Sequence, residues 1–300
     1  IEEIRRRKAH CLSTEMEKLL AMTAEMSQTP ADTFSILSNA DLVLPEIEDE
    51  TGEKVRLTSG RYGQFIQSAD RRVRKDAFEA MYSTYKQFLN TFASLYNGNV
   101  KQQIFQAKAR KYASTLEAAV DANHVSPDVY QNLIETVSQN LDKMHRYVSL
   151  RKKCLGTEDL HMYDIYTPMI PDMAKTISFE EAKETVLKAL APLGEDYVAK
   201  VKEGFENRWI DVYENQGKRS GAYSAGAYGC HPYVLLNYNG TLDDVFTLAH
   251  EMGHAMHSYY SNETQPYIYA EYKIFVAEVA STCNEALLIH YLMEQSKKAG

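Results

Sequence analysis

The chain has 300 residues, 44% apolar and 25% charged, enough to build a large core and too apolar for a disordered segment. Lys plus Arg number 33 against 41 Asp plus Glu, a net charge of −8 with no basic block. That balance argues against a nucleic-acid or anionic-membrane binder, and no apolar run approaches the ~18 residues a membrane helix needs.

The opening residues, Ile1-Glu-Glu-Ile-Arg-Arg-Arg, lack both a Met and the apolar stretch of a signal peptide, so the chain is expected to be a piece of a larger protein. Leu42-Val-Leu and Val55-Arg-Leu flank the turn-like Asp49-Glu-Thr-Gly and predict a β-hairpin. The weakest seam follows it, near residues 58–75. The expected division is therefore an N-terminal helical segment with a hairpin over 1–70, and a helical domain over 71–300. Residues 70–112 carry helix formers without Pro and predict two helices broken near Asn97-Gly-Asn.

Ser126-Pro127 has the form of an N-cap followed by Pro at the first helical position. Behind it Tyr130, Ile134, Val137, Leu141, Met144 and Val148 recur at helical spacing, predicting one apolar stripe on a helix that ends near Gly156. Ser178 with Glu181 forms a capping box opening another helix, which stops near Pro192 and Gly194. Ser220-Gly-Ala-Tyr-Ser and Tyr233-Val-Leu-Leu-Asn-Tyr predict two short strands, with Asn239-Gly as a turn. The four cysteines, Cys11, Cys154, Cys230 and Cys283, lie far apart with no CxxC pair. They read as reduced thiols of a cytoplasmic protein.

The chemistry concentrates in Thr247-Leu-Ala-His-Glu-Met-Gly-His-Ala-Met-His, which contains HExxH as His250, Glu251 and His254. Thr241 with Asp244 forms a capping box that starts a helix just upstream. On that helix the two histidines stand one turn apart on one face, where neutral imidazoles can hold one Zn²⁺. Glu251, about 100° around the helix, can reach a metal-bound water without being a ligand. Chance alone gives HExxH in roughly two chains per hundred of this composition. Its uncharged flanks, Leu248, Ala249, Met252, Ala255 and Met256, strengthen the match. Gly253 costs the helix about 1 kcal/mol relative to Ala, which predicts close approach of another backbone.

A catalytic zinc site needs a third protein ligand. Ile274-Phe-Val-Ala-Glu-Val-Ala-Ser-Thr-Cys-Asn-Glu supplies Glu278 among apolar neighbours, where a carboxylate is costly unless paired or coordinating metal. Glu285, seven residues on, could hydrogen-bond a ligating histidine.

His-Glu-Met-Gly-His-Ala-Met-His, followed 24 residues after His254 by the Glu of Phe275-Val-Ala-Glu, resembles the oligoendopeptidase F and thimet oligopeptidase family of zinc metallopeptidases. Gly217-Lys-Arg-Ser-Gly-Ala-Tyr-Ser, Leu236-Asn-Tyr-Asn-Gly-Thr-Leu-Asp-Asp-Val-Phe-Thr-Leu-Ala-His and Tyr163-Asp-Ile-Tyr bring it nearer the oligoendopeptidase F branch. The resemblance implies a mainly α, multi-helix zincin-type metallopeptidase with a small β-sheet beside the HExxH helix. Its metal would lie at the bottom of a deep channel that admits short unfolded peptides. It implies one zinc per chain held by His250, His254 and Glu278, with Glu251 as general base. It further implies that the strand around Gly221, Ala222 and Tyr223 pairs with the substrate backbone. His257 then has a supporting or packing role, and His231 contacts substrate or caps a strand. Family members are roughly twice this length. The Tyr and His residues that stabilise the transition state there would fall after Gly300, so the 71–300 domain is expected to be incomplete at its C-terminus.

Two rival readings remain at this level. One is a non-catalytic helical scaffold or binding module with an accidental or structural HExxH. The other is a dipeptidyl carboxypeptidase of the same zinc family. Short peptides are the expected partners, with neither nucleic acid nor membrane; oligomeric state is left open.

Overall fold

A computed structural model describes residues 2–170 and 176–299. Among them, in chain order, run α1 (Glu2–Arg7), α2 (Thr14–Ile36), β1 (Glu46–Glu48), β2 (Lys54–Arg56), α3 (Ser59–Ile66), α4 (Arg71–Gln87), α5 (Leu89–Ala109), α6 (Thr115–Asp121), α7 (Pro127–Gln139) and α8 (Leu141–Cys154). There follow α9 (Phe179–Ala189), α10 (Glu195–Glu206), β3 (Ile210–Asp211), β4 (Tyr223–Ala225), β5 (Tyr233–Leu235), α11 (Leu242–Thr264), α12 (Tyr267–Ala270) and α13 (Ile274–Ala299). The chain is mainly helical with small sheets, as expected. No described helix is long and apolar enough to cross a membrane.

Contacts group the chain into two units: residues 1–46 with 78–165, and residues 47–77 with 166–300. The two units interleave along the chain, with residues 47–77 grouping with the later part and residues 78–165 with the first 46.

In the first unit, α2 and α5 pack side by side. Gly98 lies inside α5, and a β-carbon there would stand 3.0 Å from Pro30 Cγ. The break expected at Asn97-Gly-Asn therefore does not occur. The glycine admits a neighbouring helix, and the interruption falls earlier, at Phe88. Arg110 grips Glu17 with two nitrogens, 3.0 and 3.1 Å from the two carboxylate oxygens. The single helix expected from Pro127 onward is also corrected. It breaks at Asn140 (φ −109°, ψ 9°), whose side chain donates to Thr136 O at 2.7 Å. Its apolar stripe forms, but Tyr130, Ile134, Val137, Leu141 and Met144 are exposed.

In the second unit the hairpin turn is held by Asp49, whose Oδ1 accepts from the backbone N–H of Thr51 at 2.8 Å and of Glu53 at 3.0 Å. Gly52 takes φ +84°. The first strand is Glu46–Glu48, not Leu42–Leu44, because this tight turn pairs the residues immediately beside it. The capping boxes at Ser178–Glu181 and Thr241–Asp244 form with both reciprocal bonds present. The later strands make one three-stranded sheet in the order β3-β5-β4, with β3 parallel and β4 antiparallel to β5. The two-residue β3 was not foreseen.

The core of this unit surrounds α11. Val245, Leu248, Ala249, Met252, Ala255 and Met256 are buried against Val186 and Leu190 of α9, Val201 of α10, Val234 and Leu236 around β5, and Leu288 of α13. Burial of one stripe of α11 fixes its rotation, and that rotation decides where its polar residues point.

Candidate metal centre

His250 and His254 lie four residues apart on α11 and bring their Nε2 atoms to 3.1 Å. Glu278, in the second turn of α13, places Oε2 3.3 Å from His250 Nε2 and 3.5 Å from His254 Nε2. These three residues form a cluster whose ligand atoms all lie within 4.8 Å of one another. A tetrahedral zinc ion with bonds of about 2.0–2.1 Å sets its ligand atoms about 3.4 Å apart. The donor set of two imidazoles and one carboxylate, and its spacing, therefore fit such an ion.

The cluster depends on close contact between α11 and α13. A β-carbon on Gly253 would stand 2.6 Å from Ser281 Cα and 2.8 Å from Ala280 O. The backbone approach expected from Gly253 is thus present, with α13 as the neighbour. Asn284 of α13 secures the same contact by donating to Ala249 O at 3.0 Å, while Tyr197 of α10 donates to Asn284 Oδ1 at 3.1 Å. Both partners of Asn284 are buried or half-buried, which makes the chain of bonds costly to break.

Glu285 lies on the far side of His250, its Oε1 2.5 Å from Nδ1. A carboxylate there orients the ring and keeps Nε2 free to ligate. Burial lowers the pKa of His254, opposed by Glu278, and so favours the neutral imidazole that binds metal.

Glu278 does not sit in the buried apolar setting expected from its neighbours. Its side chain is 53% exposed, and neighbouring Phe275, Val276 and Val279 are exposed as well. Burial in an apolar segment does not explain its position. Ser281, one turn on, does so in part: its hydroxyl donates to Glu278 Oε2 at 3.0 Å. The three-residue spacing between Glu278 and Ser281 is the local sequence signal for this contact.

Glu251 is only 7% exposed. Its Oε2 is buried with no hydrogen-bond partner among the described residues. Burial raises its carboxyl pKa; His250 opposes that, Glu278 adds to it, and the hydrogen-bonding N–H of Ser224 lowers it. A buried carboxylate with one idle oxygen beside the histidine pair is suited to holding a proton.

The remaining expected residues fall as follows. Gly221 and Ala222 immediately precede β4, which opens with Tyr223 and forms an edge of its sheet. Together with Asn237, Asn239 and Thr247, Gly221 and Ala222 line a cavity of about 360 Å³. His257 stands outside the three-residue cluster. It stacks on Tyr272 with ring centres 3.7 Å apart. His231 stacks on Trp209 at 5.0 Å and its Nδ1 lies 2.8 Å from Pro232 O.

A family profile described as "Peptidase family M3" matches residues 64–299, and one described as "Oligopeptidase F" matches residues 1–43. Oligopeptidase PepF of Bacillus subtilis is 50% identical over 293 residues, covering 98% of this chain and 44% of the relative. The oligoendopeptidase F homolog of Lactococcus lactis is 47% identical, covering 99% of this chain and 49% of the relative. The crystal structure of oligoendopeptidase-F from Enterococcus faecium superposes with a TM-score of 0.66 at 41% identity, covering 98% of this chain and 45% of that one. The chain thus spans about half the length of the curated relatives it matches.

Proposed function

The chain belongs to peptidase family M3, and from that membership we propose that it carries the metal site of a zinc-dependent endopeptidase acting on short unfolded oligopeptides. The observation that supports this most directly is the convergence of His250, His254 and Glu278 beside the buried carboxylate of Glu251.

In this reading His250, His254 and Glu278 hold one Zn²⁺, and Glu285 orients His250 through Nδ1. When bound, the ion supplies a Lewis acid that lowers the pKa of a water and polarises the peptide carbonyl. Glu251 accepts the proton of the attacking water and returns it to the leaving amine. Its burial keeps the carboxylate basic enough for both transfers. No covalent intermediate with the protein is needed. The backbone around Gly221, Ala222 and Tyr223 pairs with the peptide as an added strand, holding the scissile bond over the histidine pair. The four unpaired cysteines support a reducing, cytoplasmic setting.

The test is zinc content of the full-length protein alongside cleavage of a quenched fluorescent peptide of about ten residues. One zinc per chain with chelator-sensitive cleavage is the expected result. Neither zinc nor cleavage, after zinc is added back, would leave a helical scaffold instead. Release of C-terminal dipeptides alone would make it a dipeptidyl carboxypeptidase.

A further inference from the structure

The edge strand β4 has a definite polarity, and it follows from hydrogen bonds elsewhere in the sheet. Val234 and Leu236 donate their N–H groups to Trp209 O and Asp211 O, so these residues of β5 face β3. The alternate residues, Tyr233 and Leu235, therefore face β4. They are paired with Ala225 and Tyr223. The pleat then turns Ser224, and the C=O of Ala222, to the opposite, outer edge. The Ser224 N–H is indeed directed at Glu251. No strand among the described residues covers that edge.

Continuing the β4–β5 register by two residues sets Gly221 opposite Asn237. No backbone rung forms there. Instead the Asn237 side-chain amide donates to Gly221 O at 2.7 Å and to Arg219 O at 3.0 Å. Gly221 takes φ +86°, a conformation other residues adopt only with strain, so the strand would otherwise diverge at this point. The neighbouring Lys218, with its side chain 4% exposed, secures the preceding turn through Asp211 O and Tyr213 O at 3.1 and 2.7 Å. Asn237 Oδ1 is buried and accepts no bond among the described residues. An idle buried acceptor costs free energy that an apolar residue of similar size would avoid. The value of this amide thus lies in the two bonds it donates.

We propose that Asn237 is a positioning residue: its amide replaces the missing rung of the ladder and keeps the Arg219–Ala222 segment in line, so that the outward peptide groups of Ala222 and the C=O of Ser224, whose N–H is engaged by Glu251, take the backbone of an extended peptide. This rests on the peptidase reading and adds to it the residue that sets the register of the peptide rail.

The test uses the zinc-loaded full-length protein in a Glu251→Gln background, so that turnover does not enter. The probe is a fluorescent decapeptide, plain or N-methylated at single backbone amides. Methylation at the paired amide is expected to weaken binding about tenfold. Adding Asn237→Ala or Asn237→Asp is expected to weaken binding of the plain peptide about tenfold and to reduce the methylation penalty to near unity, with zinc content unchanged. Unchanged affinity with the methylation penalty intact overturns the proposal. Loss of zinc or of cooperative melting in both variants overturns it too, making Asn237 a folding residue. Binding by the Glu251→Gln protein without cleavage by the wild type removes the peptidase reading alone. Absence of binding throughout removes both.

Discussion

Gly253 on α11 and Ser281 on α13 approach so closely that a β-carbon on the glycine would lie 2.6 Å from Ser281 Cα. The obstacle is backbone, which cannot swing aside as a side chain can. Alanine has the better helix propensity by up to about 1 kcal/mol. Forcing a methyl against packed backbone costs typically about 1–3 kcal/mol, so the clash wins. Gly253→Ala is expected to lower the melting temperature and, by moving Glu278 away from the histidines, to weaken zinc binding at least tenfold. Calorimetry and metal titration of the full-length protein check the two effects separately.

Glu285→Gln keeps the size of the side chain that faces His250 Nδ1 and removes its charge. Loss of such a partner typically costs about 10–100-fold in metal affinity. The expected outcome is weaker zinc binding with little change in melting of the metal-free protein. Zinc affinity equal to wild type would release Glu285 from its role.

Glu251→Gln is expected to keep stoichiometric zinc while kcat for peptide cleavage falls by about 10³-fold or more, since among the described residues Glu251 is the buried carboxylate beside the histidine pair with an oxygen left without a partner. Cleavage by this variant at near wild-type rate would remove Glu251 as the base.

The Tyr197–Asn284–Ala249 chain of hydrogen bonds ties α10, α13 and α11 together. Tyr197→Phe deletes one bond and is expected to cost about 1 kcal/mol at neutral pH. Burial pushes the Tyr197 hydroxyl up to about 12. For an acid whose pKa is raised on folding, stability is present below the unfolded value of about 10 and is lost as pH rises above it. The wild type's advantage over Tyr197→Phe is therefore expected to hold at pH 8 and to shrink steadily beyond pH 10. Paired urea melts at several pH values read this directly; a gap constant to pH 11 would contradict the burial of that hydroxyl.

What was legible in the sequence was local. Ser178 and Thr241 announced their helices because a capping box is complete within four residues. HExxH was legible because helical geometry alone puts His250 and His254 on one face. The role of Gly253 could be read because a glycine at a cost to the helix needs a reason. Gly98 shows the limit of the same signal: it too packs against a neighbour, Pro30, but the sequence reads it as a break. Glu278 stands out in the sequence by apolar neighbours, which the structure leaves exposed, and by its place 24 residues after His254 in the family resemblance. Asn237 could not be found at all, because its partners are fixed by a strand register between segments sixteen and eighteen residues away, the spacings at which it bonds Gly221 and Arg219.

The outer edge of β4 offers peptide groups, and peptide groups are nearly the same in every amino acid. If β4 pairs with a peptide as proposed, backbone pairing ignores side-chain identity, with one exception. Proline has no N–H to donate, so a proline at the paired position would leave a strand carbonyl unanswered. On the proposed peptidase reading, peptides of equal length are then expected to be discriminated by where proline falls along the strand.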